Sequence, residues 1–162
     1  RSSDLQATQI IVGHCVGAGN EDGAYRRVLK TLKSAIVISV GMATLMYFIS
    51  PYALRIFTRN EEILSLGSKV MFIGIILEFG RSTNLVVINS MRAAGDIKFP
   101  TYLGMASMWG VSVLFSYILG IKLGLGLVGI WIAMAMDEWI RGIVVFIRWK
   151  KGTWRGKSVV TK

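Results

Sequence analysis

Residues 34–54 read SAIVISVGMATLMYFISPYAL, twenty-one positions without a charged side chain. At 1.5 Å per residue such a run makes a helix of about 30 Å, the thickness of a bilayer's hydrocarbon layer. Residues 99–121, FPTYLGMASMWGVSVLFSYILGI, form a second charge-free run of twenty-three. Neither run alternates at period two over about ten residues, as a membrane barrel strand would. The interior of a soluble protein this small has no room for two such helices. The fold class read from these runs is all-α, a polytopic transmembrane helix bundle.

Composition agrees. Of the 162 residues, 53% are hydrophobic and 17% charged, against roughly a quarter charged in soluble domains, and mean hydropathy is +0.55. A net charge of +10 ordinarily suggests nucleic acid or anionic lipid as partner. Here the bases sit in short runs between long apolar stretches, which is the pattern of membrane loops. Lipid is therefore the expected partner, and nucleic acid is not.

Working outward, four full spans and one partial span are expected. Residues 1–20, short and glycine-rich, read as the end of a truncated helix. The full spans are 34–54, 70–91, 99–121 and 127–147, with 21–33, 55–62, 92–98 and 122–126 as connecting segments and 148–162 as a basic cytoplasmic tail, disordered at its end. Pro100 suits the first turn of its helix, where a missing N–H costs little. The sequence Gly17-Ala18-Gly19-Asn20 reads as a helix end and a turn. The chain opens on Arg1 without an initiator Met or a cleavable signal, so it reads as part of something longer.

Lys and Arg set the expected orientation. Segments 21–33, 92–98 and 148–162 share one side and hold twelve; Arg55, Arg59, Lys69 and Lys122 are four on the other. The first side, with the C-terminus, is expected in the cytoplasm, and the protein in the cell (inner) membrane. Trp149 and Trp154 suit an interfacial belt at that face. Trp139 lies too deep for a belt and is expected between helices.

The most informative residues are the charges inside spans. A charge at a helix centre costs at least about 2.5–3.5 kcal/mol on insertion scales, so it must face protein or water. Glu78 and Arg81 are three apart, and Asp137 and Arg141 four apart, so each pair shares a helix face. Glu138 makes three acids against two bases. If the groups meet, one carboxylate lacks a partner, and a desolvated carboxylate without a counter-charge favours its protonated form. That is the chemistry of H⁺ or Na⁺ coupling. A static ion-pair network between helices is the competing reading. Glu78 is the leading candidate, with Arg81 tuning it and Asn84 and Asn89 as amide neighbours; Asn89 aligns better with Glu78 than Asn84 does.

Other features carry less. Gly13/Gly17 and Gly120/Gly124 have the spacing of tight helix packing, the second pair falling at a turn. His14 stands without a second ligand and reads as a packing or interfacial residue rather than a metal ligand. Cys15, the one cysteine, forms no internal disulfide and reads as an inert packing thiol. No phosphate-binding loop, zinc spacing or nucleophile–base set occurs, so neither an enzyme nor an organic or metal cofactor is expected.

Three motifs carry a family resemblance. Gln9-Ile-Ile-Val-Gly13 with Gly17-Ala-Gly19, then Met91-Arg92-Ala93-Ala94-Gly95-Asp96 with Phe99-Pro100, then Gly126-Leu-Val-Gly129-Ile-Trp131 with Asp137-Glu138-Trp139-Ile-Arg141, resemble segments of the multidrug and toxin extrusion (MATE) family. The resemblance covers about Gln6 to Trp154. It implies two six-helix lobes opening alternately to either side, and this chain would supply part of the C-terminal lobe: the end of helix eight and helices nine to twelve. It further implies export of organic cations and drugs in exchange for H⁺ or Na⁺, with the N-terminal lobe as partner. Some members carry a cation-binding Asp on the tenth helix; that position falls at or near Arg81 here, with Glu78 one turn earlier. Two other readings are a lipid-linked oligosaccharide flippase of the same superfamily, whose cavity would be more cationic, and a non-transporting scaffold or assembly module.

Overall fold

The structure is a computed structural model that describes residues 2–156, with side chains from Gln6 onward. Five helical rods follow one another: α1, Ser2–Gly17; α2, Glu21–Phe57; α3, Glu61–Ala93; α4, Lys98–Lys122; and α5, Gly126–Lys150. Helices α2, α3 and α4 are long and apolar enough to cross a membrane. The fourth expected span, 127–147, falls within α5, which matches α4 in length but carries Asp137, Glu138 and Arg141 at its centre.

The connecting segments are shorter than expected. Segment 21–33, expected between spans, is the first third of α2. Ala24, Val28 and Leu32 recur every fourth residue and are buried, so its polar residues occupy the other faces of an amphipathic helix. Asn20 caps it by accepting a bond from the Gly23 N–H at 2.9 Å, and Glu21 and Asp22 complement the positive end of the helix dipole. Helix α3 begins the same way: Asn60 accepts from the Glu62 N–H at 2.9 Å, ahead of Glu61 and Glu62. Between α1 and α2 the chain turns at Gly19, whose φ of 75° few other residues adopt.

Pro51 lies inside α2 and leaves the Tyr47 carbonyl without its backbone donor. The Ser50 hydroxyl donates to that carbonyl at 2.8 Å, so no acceptor is stranded in the apolar layer. Helix α4 is irregular: Met108–Val113 and Tyr117–Lys122 are wound as π-helix. Helix α2 packs against α1 and α3, and α5 lies along both α3 and α4, whereas α3 and α4 barely touch.

The core sits at one end, where α1, the start of α2 and the ends of α3 and α5 meet. Val12, Val28, Val87, Met91, Val145 and Trp149 are wholly buried there. The belt expected of Trp149 and Trp154 is not what forms. The chain turns back after Lys150, and Trp154 stacks on Trp149 at 4.2 Å and 7°, both with no exposure. The Trp154 indole N–H donates to the Trp149 carbonyl at 3.0 Å, and Arg155 reaches Asp22 at 2.8 Å. The expected disorder at the tail's end, residues 157–162, lies outside the described residues.

Candidate functional site

Helices α3 and α5 run alongside each other and come closest at two glycines. A methyl group on Gly142 would lie 3.1 Å from the Gly80 carbonyl, and one on Gly80 would meet the Trp139 backbone at 3.0 Å. Of the spacings singled out in the sequence, a methyl group on Gly13 would reach only the Ala93 carbonyl, at 4.0 Å, whereas one on Gly120 would meet Ile130 at 3.2 Å and the Gly126 carbonyl at 3.4 Å. Trp139 packs between helices as expected. Its indole donates to the Ile76 carbonyl at 2.9 Å, and its ring stacks on Phe79 at 5.1 Å.

This close approach positions an ionic cluster one turn away. Glu138 projects toward α3, where the Asn84 amide donates to it at 2.7 Å. Asp137 projects toward α4, where the Ser107 hydroxyl donates to it. Arg141, one turn further along α5, reaches both acids, at 2.5 Å to Asp137 and 3.1 Å to Glu138. Ser107 is the last α-helical residue before the first π-wound stretch of α4. Asn84 and Asp137 are both 4% exposed, so the cluster is sheltered by protein on three helices. Two carboxylates share one guanidinium, giving a formal charge of −1 when all three are ionised. The Asn84 carbonyl oxygen and the Arg141 Nε are buried without a hydrogen-bond partner among the described residues.

The expected pairing of Glu78 with Arg81 also forms, at 3.4 Å, but in a more open place: Arg81 is 53% exposed. Both line a cavity of about 320 Å³ between α2, α3 and α5, with Ser39, Met46 and Trp131. The two charge groups do not merge. The bonds of Asp137, Glu138 and Arg141 go to Ser107, Asn84 and one another. The condition for one carboxylate without a partner is therefore not met: two carboxylates divide one base instead. Asn84 serves Glu138 rather than Glu78, and half-buried Asn89 stands apart from the cluster.

Sequence reasoning missed two participants. Ser107 is one serine in a charge-free run, and nothing in its spacing marks it. Arg148 was counted as a loop charge, yet it pairs with the buried Asp96 at 2.8 Å and stacks over Phe99 at 4.0 Å. This joins the Met91–Asp96 segment to the end of α5. His14 is exposed and Cys15 half-buried. Among the described residues no three of His, Cys, Asp and Glu converge as metal ligands.

A bundle of long apolar helices, three of them able to cross a bilayer, defines a polytopic membrane protein. Comparison with known proteins gives the family. The MatE family model matches residues 5–118, and the chain belongs to that family. It is 44% identical over 95% of its length to the Uncharacterized transporter YisQ of Bacillus subtilis (strain 168), covering 34% of that protein. It is 24% identical over 90% of its length to a Probable multidrug resistance protein NorM of Pasteurella multocida (strain Pm70), covering 32% of it. The Probable multidrug resistance protein YoeA of Bacillus subtilis (strain 168) matches 78% of the chain at 24% identity, with 27% of that protein covered. The chain thus spans about a third of the length of these curated relatives. No solved structure matches it.

Proposed function

We propose that the chain is part of a secondary active antiporter that exports organic cations or drugs in exchange for H⁺ or Na⁺, working with an N-terminal lobe of the same transporter. Family membership and the names of the relatives support transport. The observation that carries the coupling is the part-buried set Asp137, Glu138 and Arg141, in which two acids share one base.

Its bonds suggest how binding moves helices. Glu138 holds α3 through Asn84, and Asp137 holds α4 through Ser107. A charge-assisted hydrogen bond is roughly twice as strong as a neutral one. An H⁺ or Na⁺ that takes up the surplus negative charge weakens the hold on one neighbour and shifts the balance between two packings. The Asn84 carbonyl beside Glu138, without a hydrogen-bond partner among the described residues, is a further oxygen ligand for such a cation. Glu78 and Arg81, in the more open cavity, would face the substrate. The basic end of the bundle and the C-terminus would lie in the cytoplasm, with the protein in the cell (inner) membrane.

The test is Glu138→Gln in the full-length transporter, with organic-cation efflux measured under imposed H⁺ and Na⁺ gradients in turn. The ion-driven rate is expected to fall about tenfold, a coupling loss within the usual range, and further than in Glu78→Gln. Unchanged coupled efflux would remove the cluster from the mechanism. A C-terminal reporter active only outside the cytoplasm would overturn the orientation.

A further inference from the structure

Helix α2 carries a polar stripe at Arg27, Lys30, Thr31 and Ser34, spaced at three, four and seven residues, hence on one face. Where two helices flank a third, that face would ordinarily be apolar. Here it borders a cavity of about 250 Å³ between α1, α2 and α3, distinct from the Asp137–Glu138 cluster. Its polar lining is completed by Thr8 and Ser82, 2% and 1% exposed. The Thr8 and Thr31 hydroxyls bond each other at 3.0 Å and retain capacity for another partner. Two bases and four hydroxyls make up the polar lining, and its described residues include no acid. Neither Arg27 nor Lys30 makes an ion pair among the described residues.

The remainder of the lining is apolar, with Leu85 and Val86 on α3 and Ala35 on α2. One turn beyond Ser34, away from the bases, Val37 and Ile38 are 65% and 55% exposed. A base-and-hydroxyl floor beside an exposed apolar track matches a molecule with an anionic head and a hydrocarbon tail. Basic pockets between helices at a membrane's charged face bind phosphate headgroups on the same principle.

We propose that this cavity is a site for an anionic phospholipid, whose phosphate is held by Arg27, Lys30 and the Ser34 and Thr31 hydroxyls and whose acyl chain lies along Val37, Ile38 and Leu85. The site stands independently of the transport mechanism, because it needs only that these helices lie in lipid.

The test uses the full-length protein purified in neutral detergent, with retained lipid counted by native mass spectrometry after titration with phosphatidylglycerol or phosphatidylcholine. Phosphatidylglycerol is expected to be preferred. The pair Arg27→Gln and Lys30→Gln should weaken its binding about thirtyfold, the loss expected for two bases near a membrane surface. Arg27→Lys with Lys30→Arg should restore it, which separates lost charge from misfolding. Ser34→Leu, which fills the cavity and keeps both bases, should also reduce it, whereas Arg92→Gln with Lys98→Gln, bases of the same end outside the cavity, should not. Equal binding of the two lipids, an equal loss in the Arg92/Lys98 pair, or saturation by inorganic phosphate alone would each overturn the proposal. These outcomes do not depend on whether efflux is coupled to an ion.

Discussion

Both ends of the bundle carry large apolar side chains, yet only one has an interior. At the basic end, Val12, Val28, Val87, Met91, Val145, Trp149 and Trp154 have no exposure. At the other end Ile56 is 82% exposed, Phe57 85% and Ile121 70%. Apolar side chains alone do not distinguish them, because lipid solvates an exposed Phe as well as a neighbouring helix does. Geometry distinguishes them. The basic end gathers α1, α2, α3 and α5 and closes them with polar fasteners: Arg148 on Asp96 and Arg155 on Asp22. The far end has long helices whose outer faces are available to lipid or to the rest of a longer protein.

If that contrast is real, equal truncations must have unequal effects. Trp149→Ala should cost about 3–5 kcal/mol, the usual range for emptying a buried aromatic site, read as a fall in the thermal unfolding midpoint in detergent. Trp149→Phe sharpens the point: the Trp149 indole N–H is buried without a hydrogen-bond partner among the described residues, so the cost should come from lost ring volume alone and stay below that of Trp149→Ala. A penalty for Phe as large as that for Ala would mean that the N–H has a role the packing does not show. Gly142→Ala tests the middle of the molecule, where α3 and α5 touch. Its methyl group would meet backbone rather than a movable side chain, so about 1–3 kcal/mol should be lost to overpacking. No change in unfolding would mean that the two helices are not so close. Phe57→Ala should be the mildest, within about 0.5 kcal/mol as for surface sites; a drop comparable to that of Trp149→Ala would erase the distinction between the ends.

Much of this was legible from the chain. Two charge-free runs gave the membrane class, and spacing gave the Glu78–Arg81 and Asp137–Arg141 pairs, because periodicity alone fixes which residues share a helix face. What crossed between helices was not. Asn84 was assigned to Glu78 on its own helix and belongs to Glu138 on another. Ser107 carries no charge and no motif, so its bond to Asp137 depends on a helix register that the sequence does not state. Segment 21–33 was set apart by its polarity, although Ala24, Val28 and Leu32 keep a helical period through it. Trp154 was assigned by residue type to an interface, whereas the turn after Lys150 draws it inside. In each case the residue type was legible and its partner was not, since partnership is decided by packing.

The widened coils of α4 have a bearing on how its family can vary in length. A π-wound turn holds one residue more than an α-turn between the same flanks. Shedding that residue from Met108–Val113 would tighten the coil while leaving Ser107 before it and Ser116 after it on their present faces. Elsewhere in these rods a deletion swings everything downstream by about 100°. Single-residue gaps among relatives should therefore collect in this stretch and be scarce in α3, where the same loss would turn Asn84 away from Glu138.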